Sequence, residues 1–140
     1  MQSGEVLNEI EIIGLFRENN FRATPQRIAV YKYLYENRTH PDADEIYKSV
    51  ISANPSFSKT TVYNSLQALE ERGLIARVNI DGERAHYDAD MSLHGHFICE
   101  KCKAIFDFRV DDILCKTPEK FEVRKKGIYF SGICPECKNN

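Results

Sequence analysis

Cys99-Glu100-Lys101-Cys102 and Cys134-Pro135-Glu136-Cys137 repeat one spacing, and this repeat sets the organisation of the C-terminal part of the chain. Two residues between paired cysteines let both sulfur atoms reach one metal ion from a single turn, and four thiolates complete the tetrahedral shell that zinc prefers. The two pairs therefore predict a structural zinc site with no coordination position left for a substrate. The alternative is two disulfides in a secreted domain, which fits poorly because no apolar N-terminal run of the signal-peptide kind is present.

The 31 residues between the two pairs, 103–133, exceed the about 15 to 20 that are typical of a zinc ribbon. The zinc ion is therefore expected to tie a C-terminal segment back onto an earlier turn of a small domain, 94–140. So short a domain buries little core, and a stabilising metal is expected on physical grounds. The fifth cysteine, Cys115, lies on an amphipathic segment, 111–121, and is interpreted as a small buried apolar residue rather than a ligand.

The composition is that of an ordinary folded protein with no global preference for nucleic acid. The chain has 140 residues, of which 42% are apolar, and a formal net charge of −2. Residues 1–87 carry 10 Lys and Arg against 12 Asp and Glu, and residues 88–140 carry 9 against 9. Any DNA affinity must therefore come from local placement of charge. No apolar run approaches the about 18 residues of a membrane span, so no membrane partner is expected.

Four helices are predicted in the first half of the chain from cap signals and apolar spacing. The expected caps are Thr24 before Pro25, Asp42 with Glu45 three residues later, and Ser58. The buried faces are expected to consist of Val6, Ile10, Ile13 and Phe16 in the first helix; Ile28, Tyr31, Leu34 and Tyr35 in the second; Ile46, Val50 and Ile51 in the third; and Val62, Leu66 and Leu69 in the fourth.

Two strand-like runs follow Gly73, where the fourth helix is predicted to end. Residues 74–80 and 83–87 flank Asp81-Gly82, a dipeptide typical of a two-residue hairpin turn. Helices followed by a short hairpin are typical of a winged helix-turn-helix, so residues 1–87 are predicted to form a winged-helix DNA-binding domain. Together with the small C-terminal domain, the predicted fold class is α+β.

The outward face of the fourth helix carries groups that can contact DNA. In a winged helix this face lies in the major groove, where amides and hydroxyls read base edges and a phenol can contact a thymine methyl group. The alternative is a solvated helix face with scattered surface charge; the tandem helices and hairpin favour DNA. The predicted base contacts are Thr60, Tyr63, Asn64 and Gln67, and the predicted phosphate contacts are Arg22, Arg27, Lys59, Arg77 and Arg84.

A second set of donors lies near the boundary between the two halves. His94-Gly95-His96 places two imidazoles on one side of an extended segment, and Asp107, His40 and Asp88 are further candidates. If the five groups converge, three nitrogens and two oxygens fit iron(II) or manganese(II) better than zinc and leave an open position. The alternative is that each histidine is structural or exposed. His86 is interpreted as a wing residue, because the set is complete without it.

These motifs resemble those of the ferric uptake regulator (Fur) family. The resemblance covers residues from about 21 to 137 and is carried by His40-Pro41, Ser58-Lys59-Thr60-Thr61-Val62-Tyr63, His86-Tyr87-Asp88, His94 to Cys102, and Cys134-Pro135-Glu136-Cys137. It implies a dimeric repressor with a winged-helix domain, 1–87, a hinge, 88–93, and a dimerisation and metal-binding domain, 94–140. It also implies zinc on Cys99, Cys102, Cys134 and Cys137, and a regulatory metal on His40, Asp88, His94, His96 and Asp107.

Within the family, the chain resembles the peroxide-sensing branch best. Those members tend to carry Asp where Asp107 stands, whereas iron sensors tend to carry Glu. No histidine follows His96, so the additional metal site that many iron and zinc sensors build with a later histidine is not expected. An iron-responsive repressor of metal uptake, without peroxide sensing, is the alternative.

The resemblance implies a cytoplasmic homodimer that represses transcription from a palindromic operator in double-stranded DNA. Iron(II) at the regulatory site is expected to make His40 or His94 sensitive to oxidation by peroxide, with release of DNA, and manganese(II) to support DNA binding with little response. No other small-molecule substrate is expected.

Two other function classes are open on the residues alone. Three histidines and two carboxylates around an open metal could activate oxygen or water, which would make the chain an enzyme. A structural or interaction module in which zinc only holds the fold is the other class. A metal enzyme has no need of polar side chains on the outward face of the fourth helix, and a structural module predicts that substituting His94 or Asp107 changes neither metal content nor DNA affinity. Because the chain meets both nucleic-acid and metal-site criteria, a regulator that is not an enzyme is expected.

Overall fold

The computed structural model describes residues 6–78, 84–90, 94–110, 118–123 and 126–139. The chain forms two compact units, Met1–Met91 and Ser92–Asn140. The elements of the first unit are α1 (Glu9–Glu18), α2 (Pro25–Glu36), α3 (Ala43–Ala53), α4 (Lys59–Glu71), β1 (Ala76–Val78) and β2 (His86–Asp88). Those of the second are β3 (His94–Cys99), β4 (Ile105–Arg109), β5 (Ile128–Gly132) and α5 (Pro135–Lys138). None of the helices among these described residues is long and apolar enough to cross a bilayer.

Side-chain caps begin α2, α3 and α4 at the positions predicted from the sequence. Each cap oxygen accepts a backbone N–H of the first helical turn, which has no partner within the helix. The three bonds run from Arg27 N to Thr24 Oγ1 (3.2 Å), from Glu45 N to Asp42 Oδ1 (2.9 Å) and from Thr61 N to Ser58 Oγ (3.1 Å).

The face that α1 buries differs from the prediction. Ile12 and Phe16, one turn apart, are fully buried, whereas Val6 is 84% and Ile10 is 81% exposed. The helix begins directly after its cap, Asn8, so Val6 precedes it and Ile10 lies on its outer side. The expectation that Val6 and Ile10 belong to the core was therefore wrong.

The core of the first unit is built from one stripe of each helix. α4 buries Val62, Leu66 and Leu69, as predicted. Four residues that were expected in the core are only partly buried, namely Ile13, Ile28, Tyr35 and Ile51. The fully or nearly fully buried apolar residues of the other helices are Ile12, Phe16, Val30, Tyr31, Leu34, Ile46 and Val50.

A short hairpin follows α4. Gly73 has a φ of +77°, which lets the helix end with the Leu74 N–H donating to Leu69 O at 2.9 Å. Because the Leu74 N–H is still bonded to the helix, the strand predicted from residue 74 starts later, and β1 begins at Ala76. β1 and β2 pair antiparallel, and the predicted Asp81-Gly82 turn lies outside the described residues. Helices followed by this hairpin give the winged-helix arrangement.

Within the described residues of the second unit, three strands form a sheet in the order β4-β3-β5. The central strand β3 is antiparallel to β4 and parallel to β5. β4 carries Asp107 at its centre. Cys115 and most of the predicted amphipathic segment fall at 111–117, outside the described residues. Helices in one unit and a mixed sheet in the other confirm the α+β class.

Replacing Leu69 by alanine is expected to destabilise the first unit by about 2–5 kcal/mol, because the side chain is fully buried and a cavity would remain. Native-state hydrogen exchange of the α2 and α4 amides in the full chain measures this loss. Gln67→Ala, on the exposed face of the same helix, is the control and should change the free energy of unfolding by less than about 0.5 kcal/mol. Equal effects of the two substitutions would contradict the assigned helix face.

Candidate metal centres and DNA-contact surface

Four cysteine thiols converge in the second unit. Cys99 ends β3, and the turn that carries Cys102 is closed by the Lys103 N–H, which donates to Cys99 O at 2.9 Å; Cys134 is the N-cap of α5, which contains Cys137. All four Sγ atoms lie within 4.8 Å of one another, and those of Cys102 and Cys134 are 3.8 Å apart. Four sulfurs at about 2.3 Å from one zinc ion would be about 3.8 Å apart. The thiols therefore fit a tetrahedral zinc site.

Hydrogen bonds within the cluster give the thiols unequal acidity. Cys99 Sγ accepts the backbone N–H of Cys102 at 3.5 Å and of Cys134 at 3.4 Å, and these bonds lower the pKa of Cys99 to about 6. The hydrogen bond with the Cys134 thiol, followed by burial, raises the pKa of Cys137 to about 12. Thiolates this close repel one another, so full ionisation of the cluster requires a cation among them.

Two imidazoles and a carboxylate meet on the sheet of the second unit. His94 and His96 share one face of β3, and their ring centroids are 4.4 Å apart. Asp107 on β4 pairs with His96, and its Oδ1 lies 2.9 Å from His96 Nδ1 and 3.8 Å from His94 Nε2. The ring of Tyr129 on β5 stacks on His96 at 5.8 Å. These nitrogens and oxygens are donors that iron(II) and manganese(II) accept.

Gly95, between the two histidines, leaves room for an aromatic ring on the other face of β3. A Cβ atom at this position would lie 2.1 Å from the ring of Phe108. Phe108 in turn stacks on Phe130 of β5 with ring centroids 4.9 Å apart. A side chain at position 95 would displace this pair and with it the strand that presents the imidazoles.

In the first unit, His40 and Asp88 form another donor pair. His40 Nε2 lies 3.4 Å from Asp88 Oδ2, and both side chains are buried. The backbone N–H of Asp90 donates to Asp88 Oδ1 at 2.9 Å, and Arg38 Nη1 lies 4.0 Å from the same oxygen. His86 Nδ1 lies 2.7 Å from His40 O. One oxygen of the Asp88 carboxylate is thus held by the Asp90 N–H and lies near Arg38, while the other faces the His40 imidazole.

The five predicted regulatory donors are divided between the two units of the chain. His40 and Asp88 are neighbours within the first unit, and His94, His96 and Asp107 are neighbours within the second. The convergence of all five on one ion stays a prediction.

The outward face of α4 has the exposure that DNA contact requires. Thr60, Asn64 and Gln67 are exposed and Tyr63 is partly buried, on the side opposite the buried stripe. The predicted phosphate-binding residues are also mostly accessible to solvent. Among them, Arg22, Lys59, Arg77 and Arg84 are exposed and Arg27 is partly buried.

A carboxylate of α3 holds two of the predicted DNA-contact residues. The Tyr63 hydroxyl donates to Asp44 Oδ1 at 2.7 Å, and Lys59 Nζ lies 3.8 Å from the same oxygen. The hydrogen bond to Asp44 raises the pKa of Tyr63 to about 12 and lowers the pKa of Asp44. Asp44 therefore fixes where the phenol at the centre of the α4 face points.

Other predicted DNA-contact residues also have acidic partners in the first unit. The three contacts join Arg77 Nη2 to Glu70 Oε1 (3.0 Å), Arg84 Nη1 to Asp42 Oδ2 (3.2 Å) and Gln67 Nε2 to Glu71 Oε1 (3.1 Å). These pairs orient the basic and amide groups within the first unit.

Three residues at these sites were not predicted from the sequence, namely Arg38, Asp44 and Tyr129. Asp44 is 19 residues from Tyr63, and no periodicity links the two positions. The signal that could have found it is an acidic residue in the first turn of α3, next in space to the start of α4. Arg38 precedes His40 by two residues and carries no motif of its own.

Comparison with known proteins places these features in a family context. The profile of the Ferric uptake regulator family matches residues 18–137. The Peroxide-responsive repressor PerR of Staphylococcus epidermidis is 34% identical over 133 residues, which cover 91% of this chain and 89% of the relative.

Solved structures are similar over nearly the same length. The Campylobacter jejuni peroxide stress regulator is 28% identical, with a TM-score of 0.67, over 91% of this chain and 99% of that one. A zinc-bound manganese uptake regulator is 25% identical, with a TM-score of 0.65, over 86% of this chain and 96% of that one.

Replacing Cys99 by serine is expected to abolish stoichiometric zinc binding and to lower the melting temperature, because a structural zinc site contributes directly to folding. Metal analysis of the purified chain and thermal melting followed by circular dichroism measure the two effects. Cys115→Ser is the control and should retain one zinc per chain, since Cys115 is not predicted to be a ligand. Full zinc content in Cys99→Ser would disprove the four-thiolate site.

Replacing Asp44 by alanine is expected to bring the pKa of Tyr63 from about 12 back toward its ordinary value of 10.0. Since ionisation removes the donated proton, this contact stabilises the folded chain below about pH 10 and is lost as the pH rises through 12. The ¹³Cζ chemical shift of Tyr63, followed against pH, reports the change. Glu71→Ala, which removes a carboxylate that bonds Gln67, should leave this titration unmoved.

Proposed function

The chain belongs to the ferric uptake regulator family, and from that membership we propose that it is a metal-dependent DNA-binding repressor that responds to peroxide. The observation that carries the proposal is the meeting of His94, His96 and Asp107 on one sheet, in the same unit as four converging thiols. The two relatives whose names refer to peroxide, one a repressor and one a stress regulator, support the choice of signal.

Residues 1–87 form the DNA-binding domain in this proposal, and α4 enters the major groove. Thr60, Tyr63, Asn64 and Gln67 contact base edges, and Arg22, Arg27, Lys59 and Arg77 contact phosphates. Residues 88–93 are the hinge, and 94–140 form the dimerisation domain. A homodimer presents two α4 helices to a palindromic operator. The support for this arrangement is the exposed polar face of α4 opposite its buried stripe.

Two metals have separate roles. Zinc, bound by Cys99, Cys102, Cys134 and Cys137, stabilises the small second unit. Iron(II) or manganese(II) binds to His40, Asp88, His94, His96 and Asp107 and regulates DNA binding. Because these five donors come from both units, binding them to one ion favours a single arrangement of the units. To shift the population of this arrangement from 1:99 to 99:1, the ion must bind it about 5.5 kcal/mol more tightly than it binds the alternative arrangements.

Peroxide acts on the side chains that hold the regulatory metal. Iron(II), when bound, would activate hydrogen peroxide for cleavage of its O–O bond. The imidazole ring of His40 or of His94 supplies the two electrons: one peroxide oxygen atom is inserted into a ring C–H bond, and the other leaves as water. The oxidised ring loses its donor strength and no longer holds its unit in the DNA-binding arrangement. Because each chain is modified once and does not turn over, the protein is not an enzyme in this account. A repressor of this kind acts where DNA is, in the cytoplasm.

A DNA-binding titration with each metal, with and without peroxide, tests the proposal. The operator is first selected from random duplexes with the manganese-loaded protein, and affinity is then measured by fluorescence anisotropy. Both metals should raise affinity by about 5- to 150-fold over metal-depleted protein that retains zinc. Peroxide should abolish binding of the iron form and leave the manganese form bound. His94→Ala should remove the response to either metal.

Mass spectrometry of the peroxide-treated iron form should find one added oxygen atom on the peptide that contains His40 or His94. DNA binding that depends on iron but survives peroxide would instead favour the iron-responsive alternative. Binding that is independent of both metals would refute the regulatory site, and turnover of a substrate would identify a metal enzyme.

A further inference from the structure

The backbone at His40 is held in an unfavourable conformation. Its φ is +55°, a region that residues with a Cβ atom rarely adopt, and the following residue, Pro41, restricts it further. Such a conformation persists only where neighbouring contacts determine it. The contacts that the His40 backbone makes with its neighbours therefore keep it in this conformation.

Strand β2 provides these contacts. His86 Nδ1 lies 2.7 Å from His40 O, and since a carbonyl oxygen can only accept, the ring nitrogen carries the proton. The next residue, Tyr87, donates its backbone N–H to Pro41 O at 3.0 Å, and Asp42 forms an isolated bridge with His86. The side chain of His86 and the backbone of β2 thus hold two successive carbonyls of the 40–42 segment.

We propose that His86 is a positioning residue for the regulatory metal site. Its Nδ1–H fixes the His40 peptide, and the fixed peptide directs the His40 imidazole toward Asp88, where Nε2 and Oδ2 are 3.4 Å apart. His86 itself supplies no ligand atom. This inference rests on the proposed function, in which His40 and Asp88 bind the regulatory ion, and it goes beyond the interpretation of His86 as a wing residue alone.

Substitutions at position 86 separate the hydrogen bond from the bulk of the ring. The side-chain N–H of asparagine can occupy the place of Nδ1–H, glutamine carries its N–H one carbon farther away, and phenylalanine keeps a ring without a donor. A positioning role predicts that His86→Asn retains metal affinity while His86→Gln and His86→Phe lose it. If His86 acts through packing alone, His86→Phe should retain manganese(II) affinity and His86→Asn should lose it.

Manganese(II) binding to the zinc-loaded full chain, measured by electron paramagnetic resonance of the free ion, is the main test. His86→Phe and His86→Gln should bind manganese(II) about 10- to 100-fold more weakly than the unsubstituted protein. His86→Asn should stay within a few-fold of it. Zinc content and the circular dichroism spectrum should be the same in all four proteins, which shows that each is folded.

A second readout needs no regulatory metal. In the manganese-free protein, the ¹⁵N shifts of His86 should show a protonated Nδ1, and exchange of the neighbouring Tyr87 amide should be faster in His86→Phe than in His86→Asn. Equal manganese affinity in the unsubstituted protein and in His86→Phe would overturn the inference. The proposed function requires that the unsubstituted protein binds manganese(II) and that His94→Ala abolishes this binding. If either result fails, the proposed function is overturned, and not only the role of His86.

Discussion

Strand β3 has candidate metal donors at both ends, because His94 and His96 open it and Cys99 closes it. At a rise of about 3.3 Å per residue, even the three steps from His96 to Cys99 span about 10 Å, so the two donor sets cannot share one ion. Beyond Cys99, the Glu100 N–H donates to Gly132 O at 2.7 Å and joins the thiol cluster to the end of β5. A structural ion at the cysteines therefore holds β5 beside the strand that presents the imidazoles.

The proposed DNA surface lies on a chain with a net charge of −2, and carboxylates around α4 pair with its basic side chains. Asp44 and Glu70 hold Lys59 and Arg77 by ion pairs at the surface, which water screens and which therefore contribute little to stability. Exchanging such a pair for a phosphate contact costs little, whereas release of counterions from DNA favours the exchange. The acidic partners thus orient the basic side chains without preventing them from binding phosphate.

The sequence was most informative where the relevant interactions are local. A cap such as Ser58 bonds an N–H only three residues away, and a Cys-x-x-Cys pair needs only one turn, so both could be predicted from spacing. The buried face of α1 could not, because Ile10 and Ile12 are equally apolar and packing decides between them. The partnership of Asp44 with Tyr63 depends on how α3 packs against α4, which spacing along the chain does not encode.

Strand β2 links the proposed metal site to the proposed DNA surface within the first unit. His86 and Asp88 lie on one face of β2, one holding the His40 backbone and the other facing its imidazole. Between them Tyr87 pairs with Arg77 of β1, whose guanidinium lies 5.8 Å from the Tyr87 ring centroid. In the proposed function, a phosphate that draws Arg77 outward would therefore act on the strand that positions the metal donors. By reciprocity, an ion that stiffens β2 would also favour the arrangement of Arg77 that binds phosphate.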